Sequence, residues 1–201
     1  MKKWIIIAIV ALVLLGGIGA GVIFISDSFY RQTRKRLEAP YKELSLTTTV
    51  GEGNEQLKST YNVSVSGTQT TVIYTLEEFA LFEEKNGTYK APKGRKEKSE
   101  GRILAKNGEI HTVNGKKPPI PLELITLSAL SFEKKHFDNV TIDENSFDAD
   151  VKNAQALLGL PEECTNVHLL LYFDETHVHT LYLTYQTAQG NAAELQFSFT
   201  Y

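Results

Sequence analysis

The sequence is poor in cysteine. Its 201 residues include one, Cys164, which excludes a disulfide-rich miniprotein. That residue lies far from the N-terminal apolar segment, so the chain is not a lipoprotein attached through an N-terminal cysteine. With 42% hydrophobic and 10% aromatic residues, the composition also argues against a disordered chain. The length argues against a large multidomain enzyme.

Familiar catalytic motifs are absent as well. The sequence contains no GxSxG, HExxH, P-loop, EF-hand or CxxC pattern. Glu162 and Glu163 precede Cys164, and their negative charges would raise the pKa of the thiol rather than activate it. We therefore predict a protein that is not an enzyme and that uses no cofactor and no metal.

Basic residues are missing from the C-terminal part of the chain, where no Lys or Arg follows Lys152. Residues 107–201 hold 5 basic and 13 acidic side chains, a net charge of −8. Residues 26–106 hold 14 basic and 11 acidic side chains, a net charge of +3. Because an acidic half repels phosphate backbones, we predict no nucleic-acid partner.

One long apolar run is present, Trp4–Ile25, with 22 positions and no charge. A helix of that length spans about 33 Å, enough for a hydrocarbon core of about 30 Å. We predict a transmembrane signal anchor at 1–25. A cleaved signal peptide is the alternative, since Lys2 and Lys3 form a short basic n-region and Gly17-Ile18-Gly19 is the best small-x-small cleavage site.

The orientation of this anchor rests on two opposing signals. Four basic residues between 31 and 36 follow the apolar run, against two before it, and this count favours a cytoplasmic domain. The three-residue N-terminal tail and the β-rich remainder favour the opposite orientation. We predict a single-pass cell-membrane protein with an extracytoplasmic C-terminal domain. Gly17 and Gly21 have GxxxG spacing that would let two helices pack as a homodimer, although glycine is also common in membrane helices generally.

The rest of the chain is predicted to form a basic stalk at 26–42 and a single β-rich domain at 43–201. Alternation with period two and turn residues, above all Asn107-Gly108, predict antiparallel strands. These strands are 43–50, 57–66, 69–77, 102–106, 109–113, 140–142, 147–151, 167–173, 177–187 and 192–201.

Helical spacing predicts short helices at Leu122–Leu130 and Asn153–Leu158, and the charged segment Lys90–Gly101 is predicted to be a mobile surface loop. The predicted fold class is α+β. An N-terminal transmembrane helix is followed by a large curved antiparallel sheet with two or three short helices.

Titratable side chains give two weak hypotheses of a metal site. His177 and His179 lie two apart on a predicted strand, beside Asp174 and Glu175, and would share a face with Leu181, Leu183 and Tyr185. They would serve a metal-dependent hydrolase, or be two surface histidines beside a turn. A second group, Asp143, Glu144, Asp148 and Asp150, would bind calcium weakly or form a solvated acidic edge. His168 has no partner at a suitable spacing.

The apolar faces of the last three strands are the most informative feature of the domain. Together they predict a wide hydrophobic surface, either closed by the short helices or left open as a cavity for an acyl chain. The residues of this candidate ligand-facing surface are Leu169, Leu171, Phe173, Leu181, Leu183, Tyr185, Leu195, Phe197 and Phe199.

The order of the strands, the Asn107-Gly108 hairpin and the helices over an apolar sheet face resemble the LolA-like bacterial lipoprotein and lipid carriers over Leu44–Tyr201. The resemblance implies a half-barrel with a helical lid that holds a lipid. The chain departs from that family in keeping a membrane anchor. We predict a membrane-anchored extracytoplasmic binding module that handles lipid or lipoprotein. The alternative is a structural or protein-interaction subunit of a membrane complex, with an envelope protein as its partner.

Overall fold

A computed structural model describes residues 27–52, 55–80, 82–84, 88–90, 97–160 and 163–201. The predicted membrane segment, with Gly17 and Gly21, lies outside these residues. Within the described ranges, no helix has both the length and the apolar character needed to cross a membrane.

Strands make up most of the described chain. The strands are β1 (Glu43–Glu52), β2 (Glu55–Ser66), β3 (Gln69–Ala80), β4 (Phe82–Glu84), β5 (Thr88–Lys90), β6 (Glu97–Lys106), β7 (Glu109–Asn114), β8 (Phe137–Ile142), β9 (Ser146–Val151), β10 (Thr165–Phe173), β11 (Val178–Gln186) and β12 (Ala192–Thr200). The helices are α1 (27–37), α2 (Leu122–Ile125), α3 (Ala154–Leu158) and a 3₁₀ turn at Lys134–His136.

Ten of these strands form one antiparallel sheet in the order β7-β6-β3-β2-β1-β12-β11-β10-β9-β8, and β4 pairs with β5 separately. Strand β1 lies at the junction of the two halves, where Leu46 faces Tyr61 on β2 and Phe197 on β12. The predicted α+β class, with a large antiparallel sheet and a few short helices, is therefore confirmed for the described residues.

Two hairpins show why the turn signals in the sequence were reliable. Asn107 and Gly108 both have positive φ angles, 53° and 83°, as a type I′ turn requires. In the turn between β2 and β3, Gly67 has a φ of 60°, which glycine adopts without steric cost.

The prediction of a mobile loop over Lys90–Gly101 is wrong at both ends. Lys90 belongs to β5, and residues 97–101 belong to β6, where they pair with β3. Charged side chains do not prevent a strand when they point to solvent, and here Lys98 forms an ion pair of 2.9 Å with Glu100. Residues 91–96 lie outside the described residues.

The predicted helix at Leu122–Leu130 is shorter than expected. It ends at Ile125, because Leu127 takes a left-handed φ of 55°, which a helix cannot continue through. The second helix, α3, starts and stops as predicted. The Asn153 side chain caps its first turn, and Gly159, with a φ of 70°, ends it.

Helix α1 lies against the sheet rather than apart from it. Tyr30 and Thr33 are buried, and the Phe29 ring stacks on Phe147 at 5.7 Å between centroids. The apolar positions fall on one face because they recur every three to four residues. The segment that we expected to act as a stalk thus supplies side chains to the core, while Arg31 and Arg34 stay exposed.

Candidate functional site

The predicted ligand-facing surface is covered. All nine of its side chains are 9% exposed or less, and Leu181 and Phe197 have no exposed surface. A void large enough for water would leave some of that surface accessible, so none touches these two side chains. The apolar faces of β10, β11 and β12 pack instead into the core together with residues of all three helices.

A cavity lies beside this core, between α1 and the chain that follows α2. Its volume is about 290 Å³. Of the predicted surface residues, Phe199 lines it. The other apolar lining residues are Leu37, Tyr41, Leu127, Leu130 and Phe132.

Two further cavities adjoin the first and share residues with it. One, of about 400 Å³, shares Arg34 and Phe132 and extends to Tyr30 and Lys134. The other, of about 200 Å³, shares Tyr41 and Thr126. The three cavities follow one another along residues 27–41 and 122–134, and we call them together the α1 groove.

The rim of the α1 groove carries charges of both signs. Arg34 forms an ion pair of 3.5 Å with Glu38, and Lys134 forms one of 3.5 Å with Asp27. All four side chains are about half exposed or more, so each pair contributes little to stability. The rim therefore offers both a cationic and an anionic partner to a polar group lying above the apolar cavity.

Tyr41 separates two of the cavities. Its hydroxyl lies 3.5 Å from the Thr126 carbonyl oxygen, and its ring meets the Phe199 ring edge-on at 5.9 Å. Burial raises the pKa of Tyr41 above its usual value, so the phenol stays neutral at physiological pH.

The floor of the groove includes backbone in an unusual conformation. Leu127 has a positive φ, which costs a non-glycine residue about 1–3 kcal/mol. The surrounding chain holds it in place, since the Leu130 N–H donates to the Leu127 carbonyl at 3.0 Å and the Ser131 N–H donates to Leu157 at 2.8 Å. This conformation places Leu127 and Leu130 among the residues that line the cavity.

The two histidines proposed as metal ligands do not share a face with Leu181. A β-bulge inserts His179 between the pairs Tyr172–Thr180 and Phe173–Val178, so Val178 points inward and His179 is exposed. His177 stacks on the Tyr201 ring at 4.0 Å between centroids. The sequence predicted a shared face because side chains alternate between the two faces of a regular strand. That prediction is wrong here because the bulge interrupts the alternation.

Asp174 organises the turn beside these histidines. Its carboxylate accepts from the backbone N–H of Thr176 at 2.6 Å and of His177 at 2.8 Å, and from the Thr176 hydroxyl at 2.9 Å. Its second oxygen lies 2.8 Å from Nε2 of His179. The hydrogen bonds from Thr176 and His177 hold the pKa of Asp174 well below its usual value.

We expect Asp174→Asn to reduce stability at neutral pH and to matter less in acid. A lowered pKa in the folded state gives stability that is complete above the usual carboxyl value of 3.8 and is lost as the pH falls below it. Urea unfolding of both proteins at about pH 6 and about pH 3 measures this difference. A gap between wild type and variant that is equal at both pH values would contradict the assignment.

His168, which the sequence left without a partner, lies between two carboxylates of the neighbouring strand. Its Nε2 is 3.2 Å from Asp148 and its Nδ1 is 3.0 Å from Asp150, while the Asn139 amide donates to Asp150 at 2.7 Å. Hydrogen bonds from Asn139 and His168 lower the pKa of Asp150. The pairing of β10 with β9 brings His168 beside these two carboxylates. The spacing of residues along a single strand does not reveal such a contact.

No group of three metal-ligating side chains is assembled within the described parts of the chain. The thiol of Cys164 is half-buried, and burial, followed by the charge of Glu163, raises its pKa. The sequence predicted that the thiol pKa would be raised by neighbouring negative charge. The pKa is raised, although burial is a larger cause than the charge of Glu163.

The described residues define an α+β protein built on one large antiparallel sheet, with a groove between its first helix and the chain that follows α2. No family model matches the sequence, and a search of curated proteins found no match. Among solved structures, the chain is similar to a porin-like protein from Bacteroides uniformis ATCC 8492. The two are 6% identical over 80% of this chain and 96% of that one, with a TM-score of 0.24. The large antiparallel sheet that we expected is confirmed, whereas the likeness to the LolA-like carriers is not.

Proposed function

We propose that the protein is a membrane-anchored extracytoplasmic module that binds one acyl chain of a lipid or lipid-modified molecule in the α1 groove. The observation that carries this proposal is the cavity of about 290 Å³ lined by Leu37, Leu127, Leu130, Phe132 and Phe199. Ligand pockets usually measure about 300–1,000 Å³, so a cavity at the lower end suits a single chain. The site differs from the sheet face expected from the sequence.

The charges of both signs on the rim favour a lipid ligand with a zwitterionic head group. Arg34 and Lys134 would face its phosphate, and Asp27 or Glu38 would face its ammonium. These side chains are exposed, so they orient the head group more than they add affinity, and the apolar lining supplies most of the binding energy.

The position of the groove along the chain supports a ligand drawn from the membrane. The predicted anchor ends at Ile25, two residues before the described part of α1 begins. The 11 residues of α1 extend about 16 Å. The lining residue Leu37, at the far end of α1, would therefore lie close to the bilayer surface.

We expect Leu130→Gln to weaken acyl-chain binding about tenfold, because it replaces apolar contacts worth about 1.5 kcal/mol. The full chain is reconstituted in phosphatidylcholine vesicles that contain a phospholipid with a photoactivatable acyl chain, and the labelled peptides are mapped. Labelling of residues 126–132 and of α1 is expected in the wild type and reduced in the variant.

The matched control is Ile73→Gln, which makes the same kind of apolar-to-polar change at an exposed position of β3 and should leave labelling unchanged. Labelling confined to the apolar segment 4–25, or equal labelling of residues 126–132 in Leu130→Gln and wild type, would refute binding in the α1 groove.

One observation favours the second candidate, a subunit of a membrane complex. Both edge strands of the sheet, β7 and β8, are exposed and have one neighbouring strand each within the described chain. Such edges are the usual sites of strand pairing between proteins.

A further inference from the structure

The two edges of the ten-stranded sheet match each other in length and in exposure. All six residues of β7 are exposed, and so are five of the six residues of β8. Each edge leaves a row of backbone N–H and C=O groups available for another strand. We propose that β7 of one copy of this chain pairs with β8 of a second copy, so that the sheet continues from one molecule into the next.

The strand directions permit this arrangement without inverting either molecule. Ten strands alternate in direction across the sheet, so the first and the last, β7 and β8, run in opposite directions. A second copy in the same orientation therefore brings its β7 antiparallel to β8 of the first. The same face of both sheets then points inward, and the antiparallel alternation is preserved.

The apolar side chains at the two edges lie on that inward face. Val113 on β7 pairs with buried Ile103, and Ile110 pairs with buried Ala105. On β8, Ile142 pairs with buried Phe147. Ile110, Val113 and Ile142 are nevertheless 52%, 42% and 42% exposed. Joining the edges would cover all three and make the inner apolar face continuous across the junction.

Charge distinguishes this head-to-tail pairing from pairing of like edges. Residues 97–117, which form β6, β7 and the chain after them, carry five basic and three acidic side chains, a net charge of +2. Residues 134–152, which form the 3₁₀ turn, β8, β9 and the next residue, carry five acidic side chains and three basic, a net charge of −2. The β7–β8 contact joins opposite charges, whereas β7–β7 or β8–β8 contacts would join like charges.

The contact is expected to be reversible, because each edge carries a β-bulge. On β8 the regular pairing with β9 is interrupted between Asp138 and Thr141, and a further bulge interrupts β6–β7 between Leu104 and Ala105. Bulges shorten the stretch of backbone that a second strand can follow. Since the two surfaces differ, the contact is heterologous and generates a ring or an open chain of molecules.

The test uses two full-length single-cysteine proteins in detergent, both carrying Cys164→Ser. One contains Thr112→Cys on β7 and the other Thr141→Cys on β8, positions that are exposed on the outer face. A short bismaleimide is added to each protein alone and to their mixture. We expect crosslinked dimers in the mixture at several times the yield of either protein alone.

Two controls separate this contact from other modes of association. Asn62→Cys places an exposed thiol on central strand β2 and should not crosslink with either edge variant. Gly17→Leu with Gly21→Leu should not change the yield, because the membrane helix is not involved. Raising the ionic strength from about 0.01 M to about 1 M, which shortens the Debye length from about 30 Å to about 3 Å, should lower the yield several-fold.

Other outcomes would overturn the proposal. Dimers of Thr112→Cys alone at the yield of the mixture would show β7–β7 pairing. Equal yields with Asn62→Cys would show nonspecific collision, and loss of dimers in the double leucine variant would assign them to the membrane helix. Monomers alone in the mixture, at the highest concentration that stays soluble, would exclude a β7–β8 contact while leaving acyl-chain binding untouched.

Discussion

Replacing Phe147 with alanine is expected to lower the free energy of unfolding by about 3–5 kcal/mol. The side chain has no exposed surface. Its ring lies 5.1–5.7 Å from the rings of Phe137, Phe132 and Phe29, and 6.0 Å from that of Tyr30. These rings come from α1, β8 and the segment after α2, so the cavity left by truncation would be bordered by three separate parts of the chain besides β9.

Urea unfolding of the full chain, followed by tyrosine fluorescence, measures this loss. The control is Ile73→Ala, which shortens a side chain that is 56% exposed and should change stability by no more than about 0.5 kcal/mol. Similar losses for the two variants would mean that the aromatic cluster does not hold α1 against the sheet. Because Phe132 also lines the α1 groove, Phe147→Ala should reduce acyl-chain labelling as well.

Replacing Gly101 with alanine is expected to cost about 3 kcal/mol, at the upper end of the usual penalty for overpacking. Gly101 on β6 pairs directly with Tyr74 on β3, and the Tyr74 ring covers the position that a Cβ atom would take. The ring cannot simply move aside, because its hydroxyl donates to the Lys116 carbonyl at 2.6 Å and lies 3.2 Å from the Asn114 carbonyl oxygen.

A double-mutant cycle identifies the cause of that cost. In a Tyr74→Ala background the ring is gone and the contact with the Asn114 carbonyl oxygen remains, so Gly101→Ala should destabilise the protein less than it does in the wild type. Ser99→Ala, on the same strand, serves as the control and should have a small effect in both backgrounds. An unchanged cost of Gly101→Ala in the Tyr74→Ala background would assign the clash to the Asn114 carbonyl oxygen on β7, which lies 2.6 Å from the same Cβ position.

The regular parts of the fold could be predicted because each depends on local sequence. Alternating apolar residues and the Asn107-Gly108 turn define β6, β7 and β10–β12, since backbone pairing and burial of one face require only period two. Asn153 and Gly159 likewise fix the ends of α3 through contacts within one or two turns.

The remaining features depend on contacts between distant segments. The exposure of His179 follows from a bulge that is defined only against β10, and the contact of His168 with Asp148 joins two strands. The α1 groove is built from α1, residues 126–132 and Phe199, which no spacing rule connects. Leu127 and Leu130 lie in a segment that was predicted to be helical, but the cavity that they share with Leu37 and Tyr41 could not be predicted.

The position of β1 in the sheet has a consequence for how the chain folds. Every other neighbouring pair of strands is formed within residues 43–114 or within residues 137–200, whereas β1 and β12 bring together Leu46 and Phe197, 151 positions apart. Closing so long a loop costs more chain entropy than forming any hairpin, and such non-local contacts slow folding. The two halves can therefore form separately, and pairing of β12 with β1 completes the sheet. Until then the apolar edges of both halves are open to chaperones and proteases.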